Sequence, residues 1–251
     1  MNNKTAHIIA IGLIALTAIL VASTAIYRIL RPAEAHVDID RERYPIAGID
    51  LSAHNGVPNF DSIAAAGIDF VYLKASEGNN FRDPAFARNY AAAKRVGLKV
   101  GAYHFFRFDC DGELQAANFL AATNECRFDL PLAIDIEESG NPSAYNVSDV
   151  VSKLAAMVSS LQSQGNNIMI YTNKNGDARF VRSLYRNPGE GDPELWICSF
   201  TDPPLSRRNW TFWQHSHLGT VPGVKGKVDL NTFNGNRAMW QQWLINNSAV
   251  Q

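Results

Sequence analysis

From Gly48 onward the hydrophobic positions keep two alternating rhythms. Short β-branched or aromatic runs read as strands at Gly48–Ser52, Phe70–Ala75, Lys99–Phe106, Leu132–Glu137, Ile168–Thr172, Leu195–Phe200, Thr211–His215 and Val228–Phe233. Between them, Ala-rich segments with helical spacing predict helices near Asp61–Ala66, Pro84–Val96, Glu113–Thr123, Ser148–Gln164, Asp177–Tyr185 and Arg237–Asn246. Pro84 stands at a first-turn position, where a missing N–H costs nothing. Gly67, Gly97 and Gly165 follow their segments as helix-terminating glycines do. Strand–helix alternation predicts an α/β fold with a parallel sheet. Eight strands with fewer than eight helices predict an irregular TIM-like (β/α) barrel. The helices thin out after the fifth strand, so the last third is expected to be a β-rich closure. The alternative, a doubly wound sheet, usually carries a Gly-rich phosphate loop after its first strand. Here that loop is Ser52-Ala-His-Asn-Gly56, without the G-x-G-x-x-G spacing.

The N-terminus follows a third pattern. Ile8 to Ile26 is a run of 19 uncharged residues with Lys4 before it and Arg28 and Arg31 after it. At ~1.5 Å per residue a helix of that length crosses a bilayer. Two readings compete: an uncleaved signal anchor, or a signal peptide cut after Ala33-Glu34-Ala35. The length of the run and the two intervening arginines favour the anchor. Positive charge on both flanks leaves the orientation open. The expected organisation is residues 1–35 as anchor or signal, 36–46 as linker, and 47–251 as one catalytic barrel. In both readings the barrel is exported, to the periplasm or the cell surface.

Composition narrows the partners. Of the 251 residues 46% are hydrophobic and 19% charged, which is enough apolar material for a packed core. Without residues 1–35 the chain carries 20 basic and 23 acidic residues, and no basic block, so nucleic acid is not an expected partner. All five tryptophans lie after residue 195, a supply of flat surfaces that suits sugars and core packing alike. The three cysteines, Cys110, Cys126 and Cys198, lack C-x-x-C spacing, so no zinc site is expected. Cys110 and Cys126 bracket one predicted helix, and a bridge between them would close a short loop. Cys198 reads as a buried free thiol.

Candidate chemistry gathers at strand ends. The fourth strand ends Ala133-Ile-Asp135-Ile-Glu137, and positions i and i+2 of a strand share a face. Like charges so placed raise a pKa, as a general acid working near neutral pH requires. The first strand carries Asp50 and the last carries Asp229, each between aliphatic neighbours. In a barrel the carboxyl ends of the strands build the active site, so Asp50, Asp135, Glu137 and Asp229 can converge. Clustered carboxylates bind hard cations or cleave glycosidic bonds. The aromatic supply at Tyr103, Tyr171, Trp196 and Trp213 favours sugar chemistry. No Asp-His-His set supports a metal-dependent deacetylase.

The chain resembles the glycoside hydrolase family 25 muramidases, the Chalaropsis-type lysozymes, over about residues 47–235. The motifs stand in order: Gly48-Ile-Asp-Leu-Ser-Ala-His-Asn-Gly56, Phe70-Val-Tyr-Leu-Lys-Ala-Ser-Glu-Gly78, Asp83-Pro-Ala-Phe-Ala-Arg-Asn-Tyr90, Gly97-Leu-Lys-Val-Gly-Ala-Tyr-His-Phe-Phe106, Leu132-Ala-Ile-Asp-Ile-Glu137, Phe212-Trp-Gln214 and Val228-Asp-Leu-Asn231. The resemblance implies hydrolysis of peptidoglycan between N-acetylmuramic acid and N-acetylglucosamine, by a monomer that needs no cofactor or metal. It makes Glu137 the proton donor and Asp135 its tuning neighbour, with Asp50 and Asp229 as the other two acids of the site. Which group answers the positive charge on the sugar stays open among Asp135, Asp50, Asp229 and the substrate itself. Tyr103 matches a site tyrosine. Tyr171 and Trp213 are candidates for lining the groove, and Gln214 for contacting Asp229 or substrate. His104, next to Tyr103, is expected to point away and be structural. Lys74 is a candidate partner for one of the acids, while Glu77 and Glu138 are not expected to act. A membrane-tethered, non-catalytic peptidoglycan-binding module is the alternative function.

Overall fold

The structure is a computed structural model that describes residues 37, 39–184, 192–200 and 209–248, and the two isolated positions 17 and 23. The chain divides into two units, Met1–Glu34 and Ala35–Gln251. Apart from those two positions, the proposed membrane segment Ile8–Ile26 lies outside the described residues. Among the described residues no helix is long and apolar enough to cross a membrane.

The strands are β1 (Ala47–Leu51), β2 (Phe70–Glu77), β3 (Phe81–Arg82), β4 (Lys99–Phe105), β5 (Leu132–Asp135), β6 (Ile168–Asn173), β7 (Glu194–Cys198), β8 (Phe212–Gly219) and β9 (Val228–Phe233). The helices are α1 (Phe60–Ala65), α2 (Phe86–Arg95), α3 (Gly112–Thr123), α4 (Val147–Gln162), α5 (Lys174–Gly176, continued by a π-helical turn at Asp177–Val181) and α6 (Arg237–Ser248). All eight expected strands are present, and the two-residue β3, too short to leave a periodic trace, adds a hairpin edge to β2. The ring runs β1-β9-β8-β7-β6-β5-β4-β2 and closes through β1–β2. It is the expected irregular barrel, not a doubly wound sheet.

Chain direction follows from connection length. Parallel neighbours need a crossover of a dozen or more residues, and helix-bearing segments supply one at β1–β2, β2–β4, β4–β5, β5–β6 and β6–β7. β7–β8 is also parallel. Only residues 220–227 join β8 to β9, so β9 reverses and meets both β8 and β1 antiparallel. The start of β9 therefore lies at the same end of the barrel as the finish of its parallel strands.

Strand alternation sorts the core into two layers. Ile49, Leu51, Val71, Leu73, Val100, Ile134 and Ile170 face outward and pack with helix residues such as Phe119, Leu154 and Phe180. Phe70, Tyr72, Ala133, Met169, Tyr171, Trp196 and Phe212 belong to the inner cluster, which α6 joins through Trp240 and Leu244. The inner aromatics demand room. A Cβ on Gly101 would stand 2.3 Å from the Tyr72 ring, and one on Gly48 would stand 2.2 Å from that of Phe70.

Residues just ahead of β1 pack on the barrel. Val37 N–H donates to His215 O at 2.9 Å. Tyr44 and Ile46 are buried, Tyr44 lying against the rings of Trp210 and Trp213. The conditional Cys110–Cys126 bridge is not formed, since both are free thiols. They flank opposite ends of α3, whose 12 residues span ~18 Å, far beyond the ~7 Å that a disulfide tolerates between Cα atoms.

Candidate active site

Three strands deliver the four acids. Asp50 lies on β1 between the outward Ile49 and Leu51. Asp135 ends β5, and Glu137 follows it two residues later. Asp229 sits near the start of β9, directly across from Asp50 in the antiparallel register. All four line one cavity of about 590 Å³ at the carboxyl ends of the parallel strands.

Asp50 is held by amides whose orientation is fixed. Trp196 Nε1 donates to Asn231 Oδ1 at 2.8 Å. Since an indole nitrogen only donates, the Asn231 amide nitrogen must face Asp50, and it donates to Oδ2 at 2.8 Å. Tyr171 OH likewise donates to Gln214 Oε1 at 2.8 Å, turning Gln214 Nε2 to the same Oδ2 at 3.1 Å. Oδ2 thus accepts two hydrogen bonds, and any proton on this acid sits on Oδ1. Glu137 is held differently: no hydrogen bond to its carboxyl exists among the described residues. Asp50 is immobilised, while Glu137 is left to engage what enters the cavity.

The cluster holds its protons tightly. Burial, followed by the charge of Asp229, pushes Asp50 well above the carboxylate range. Burial, then Glu137 and Asp50, do the same for Asp135, whose Oδ1 is buried without a partner among the described residues. Asp229 is raised to about 6, chiefly by burial. Glu137 is raised by burial and by Asp50, and Lys74 opposes the rise. Four carboxyls in one cavity cannot all ionise, and the proton they keep belongs to the group as a whole. Burial and the neighbouring acids also keep the Tyr103 hydroxyl protonated far above its usual range.

The backbone carrying Glu137 is clamped. Asn141 Nδ2 donates to Glu137 O at 2.8 Å and to Phe106 O at 3.0 Å, while its Oδ1 accepts Phe108 N–H at 2.8 Å. Arg107 Nη1 donates to Gly140 O at 2.6 Å, and Thr172 Oγ1 to Ile136 O at 2.8 Å. Lys74 ion-pairs with Glu77 at 2.7 Å, and its ammonium lies 5.1 Å from the centre of the Phe105 ring. Its direct partner is therefore Glu77, and it acts on the acid cluster through its field.

Tyr103, Tyr171 and Gln214 line the cavity as expected. Gln214 contacts Asp50, not Asp229. Trp213 does not line the cavity. As the neighbour of the inward Gln214 it must face outward, where it is fully buried with Leu195, Ile197 and Tyr44 and donates to Ser199 O at 2.7 Å. Trp196 and Cys198, two apart on β7, line the cavity instead. The Cys198 thiol is pushed up to about 12 by burial and is no nucleophile. Asn231 was legible by the same rule, as i+2 of Asp229. His104 points away from Tyr103 and is buried. Gln115 Oε1 accepts Arg107 N–H, so His104 Nε2 donates to it at 3.2 Å and Nδ1 accepts from Ser76 Oγ at 2.8 Å. Burial lowers this imidazole to about 4, which keeps it neutral. Glu138 turns to Tyr145 and Arg179, outside the acid cluster.

A closed β/α barrel with four carboxyls of raised proton affinity in one aromatic-walled cavity is the arrangement of a glycoside hydrolase. Residues 49–224 match Glycosyl hydrolases family 25, and the chain belongs to that family. It is 30% identical over 266 residues to YegX of Escherichia coli O157:H7, covering 96% of this chain and 93% of that protein. It is 32% identical over 220 residues to lysozyme M1 of Streptomyces globisporus, covering 81% and 72%. The solved family 25 glycosyl hydrolase of Bacillus anthracis superposes with a TM-score of 0.73 at 31% identity, over 84% of this chain and 98% of that one.

Proposed function

We propose that this protein is a peptidoglycan muramidase that hydrolyses the β-1,4 bond between N-acetylmuramic acid and N-acetylglucosamine. The observation that carries the reading is the Glu137 carboxyl: half-buried, without a hydrogen bond among the described residues, raised in proton affinity, and two residues from Asp135 in the common cavity. Membership of the family and the likeness to lysozyme M1 support the same bond.

Glu137 donates its proton to the glycosidic oxygen as the bond to the muramic anomeric carbon breaks, and N-acetylglucosamine leaves as an alcohol. Asp50 and Asp229, paired across β1 and β9, face the positive charge that grows on the sugar ring. Donation from Gln214 and Asn231 keeps Asp50 Oδ2 in the acceptor state for that task. Asp135 holds up the proton affinity of the cluster and is placed to orient the acetamido group of the muramic residue. Water completes the reaction at the anomeric carbon and returns a proton to Glu137. With all four acids in one cavity, a purely binding module is the disfavoured reading.

The substrate lies outside the cytoplasmic membrane, so the barrel acts after export. The 19-residue apolar run at Ile8–Ile26 fits one N-terminal anchor, with the barrel working as a monomer on the wall. The activity test is digestion of purified peptidoglycan, borohydride reduction of the products, and mass spectrometry. New ends reduced to N-acetylmuramitol are expected. Ends reduced to N-acetylglucosaminitol would assign the other glycosidic bond, and bound sacculi without any released fragment would mark a binding module.

A further inference from the structure

Strand β8 departs twice from regular pairing with β9. Gln214 pairs with Asn231, Ser216 with Leu230 and Gly219 with Val228. From 214 to 216 the partner strand advances by one residue, and from 216 to 219 by two, so each interval holds an extra residue on β8. Such bulges re-aim side chains. With Gln214 facing inward, regular alternation would send His217 outward. The first bulge reverses this. Ser216 is fully buried opposite Leu230, which packs with the outer core, and His217 turns to the cavity mouth. There its ring meets Phe200, just beyond β7, edge-on with centroids 5.0 Å apart. Phe200 lines the same cavity. Neither ring nitrogen of His217 has a hydrogen-bond partner among the described residues.

The position of this pair in the ring gives it a use. β4 and β8 stand four strands apart in the eight-strand ring, on opposite sides of the mouth. Phe105 lines the cavity from β4, and Phe200 with His217 lines it from the β7–β8 side, with the carboxyls between them. A glycan strand lying across the acids meets an aromatic wall on each side. We propose that Phe200 and His217 form a sugar-binding platform for an N-acetylhexosamine flanking the cleaved bond. The rings take the apolar C–H face of the pyranose, and the imidazole supplies one donor and one acceptor to its hydroxyl or acetamido groups. The inference rests on the muramidase reading and adds a specificity-determining residue, His217, that strand alternation hides.

The test is steady-state cleavage of a soluble, uncross-linked peptidoglycan glycan by the full chain and by its His217→Ala, His217→Phe and Phe200→Ala variants. A second arm measures binding of the same glycan to Glu137→Gln protein, with and without His217→Ala, by tryptophan fluorescence. Each alanine variant is expected to raise KM by about 3- to 10-fold, with kcat held within about twofold. His217→Phe keeps the ring face but not the two hydrogen bonds, so it should recover part of the loss, and the dissociation constant should rise in step with KM. Unchanged KM and affinity, or a fall in kcat that phenylalanine does not rescue, would overturn the platform. The binding arm needs no turnover. A wild-type chain that cleaves nothing, yet loses glycan affinity on His217→Ala, would refute hydrolysis and leave the platform standing.

Discussion

At the scale of single residues, the site divides labour among chemically identical groups by what surrounds each one. Asp50 is pinned by two amides, whereas Glu137 has its charge state set by burial, Asp50 and Lys74. Activity should fall as pH rises through the raised pKa of Glu137, because the acid must be protonated. Replacing Lys74 with Met removes the cation that opposes that rise, while Glu77 keeps Arg107 at 3.6 Å as an ion-pair partner, so the change favours the proton on Glu137. The alkaline limb of the kcat/KM profile is therefore expected to move to higher pH, and a limb that stays or moves down contradicts the assignment. Asp229 gives a stability prediction of defined sign. Its pKa rises from 3.8 to about 6 on folding, so the stability it contributes is full below about pH 4 and is lost as pH rises through about 6. Asp229→Asn should thus raise stability at pH 7.5 by on the order of 1–3 kcal/mol and change little at pH 4, as read by denaturant unfolding. The same substitution should abolish most activity. These acids were legible in the sequence because an Asp between aliphatics on a strand has its face decided by alternation. The same rule removes Trp213 from the cavity, since it adjoins Gln214 and adjacent strand residues cannot both line one cavity.

At the scale of elements, strands with clean periodicity are recovered to within a few residues, while their irregularities are invisible in the pattern. The bulges of β8 follow from its pairing with β9, which no local window encodes, so the facing of His217 could not be read from sequence. The loop after β5 is also patternless, yet its three Asn141 hydrogen bonds fix the backbone of the acid to the end of β4. Asn141→Ala leaves those backbone groups unsatisfied, at a cost of about 1–3 kcal/mol in unfolding free energy. It should lower kcat more than it raises KM, because Glu137 loses its aim while the groove persists. Steady-state kinetics beside thermal unfolding separates this from a general loss of fold.

At the scale of the whole molecule, the barrel is closed by a reversal that the sequence announced only as missing helices. With residues 220–227 too few for a crossover, β9 runs backward, and this brings Asp229 from its start to the end where Asp50 and Asp135 sit. The four-carboxyl site is thus a product of topology as much as of motif. In the proposed mechanism Glu137 is the acid that breaks the glycan strand. The most direct measurement is release of reducing sugar ends from purified peptidoglycan by wild-type and Glu137→Gln protein of matched circular dichroism and melting behaviour. Steady release by the wild type and a loss of at least about 100-fold in the variant are expected. Release by Glu137→Gln at the wild-type rate would contradict the mechanism.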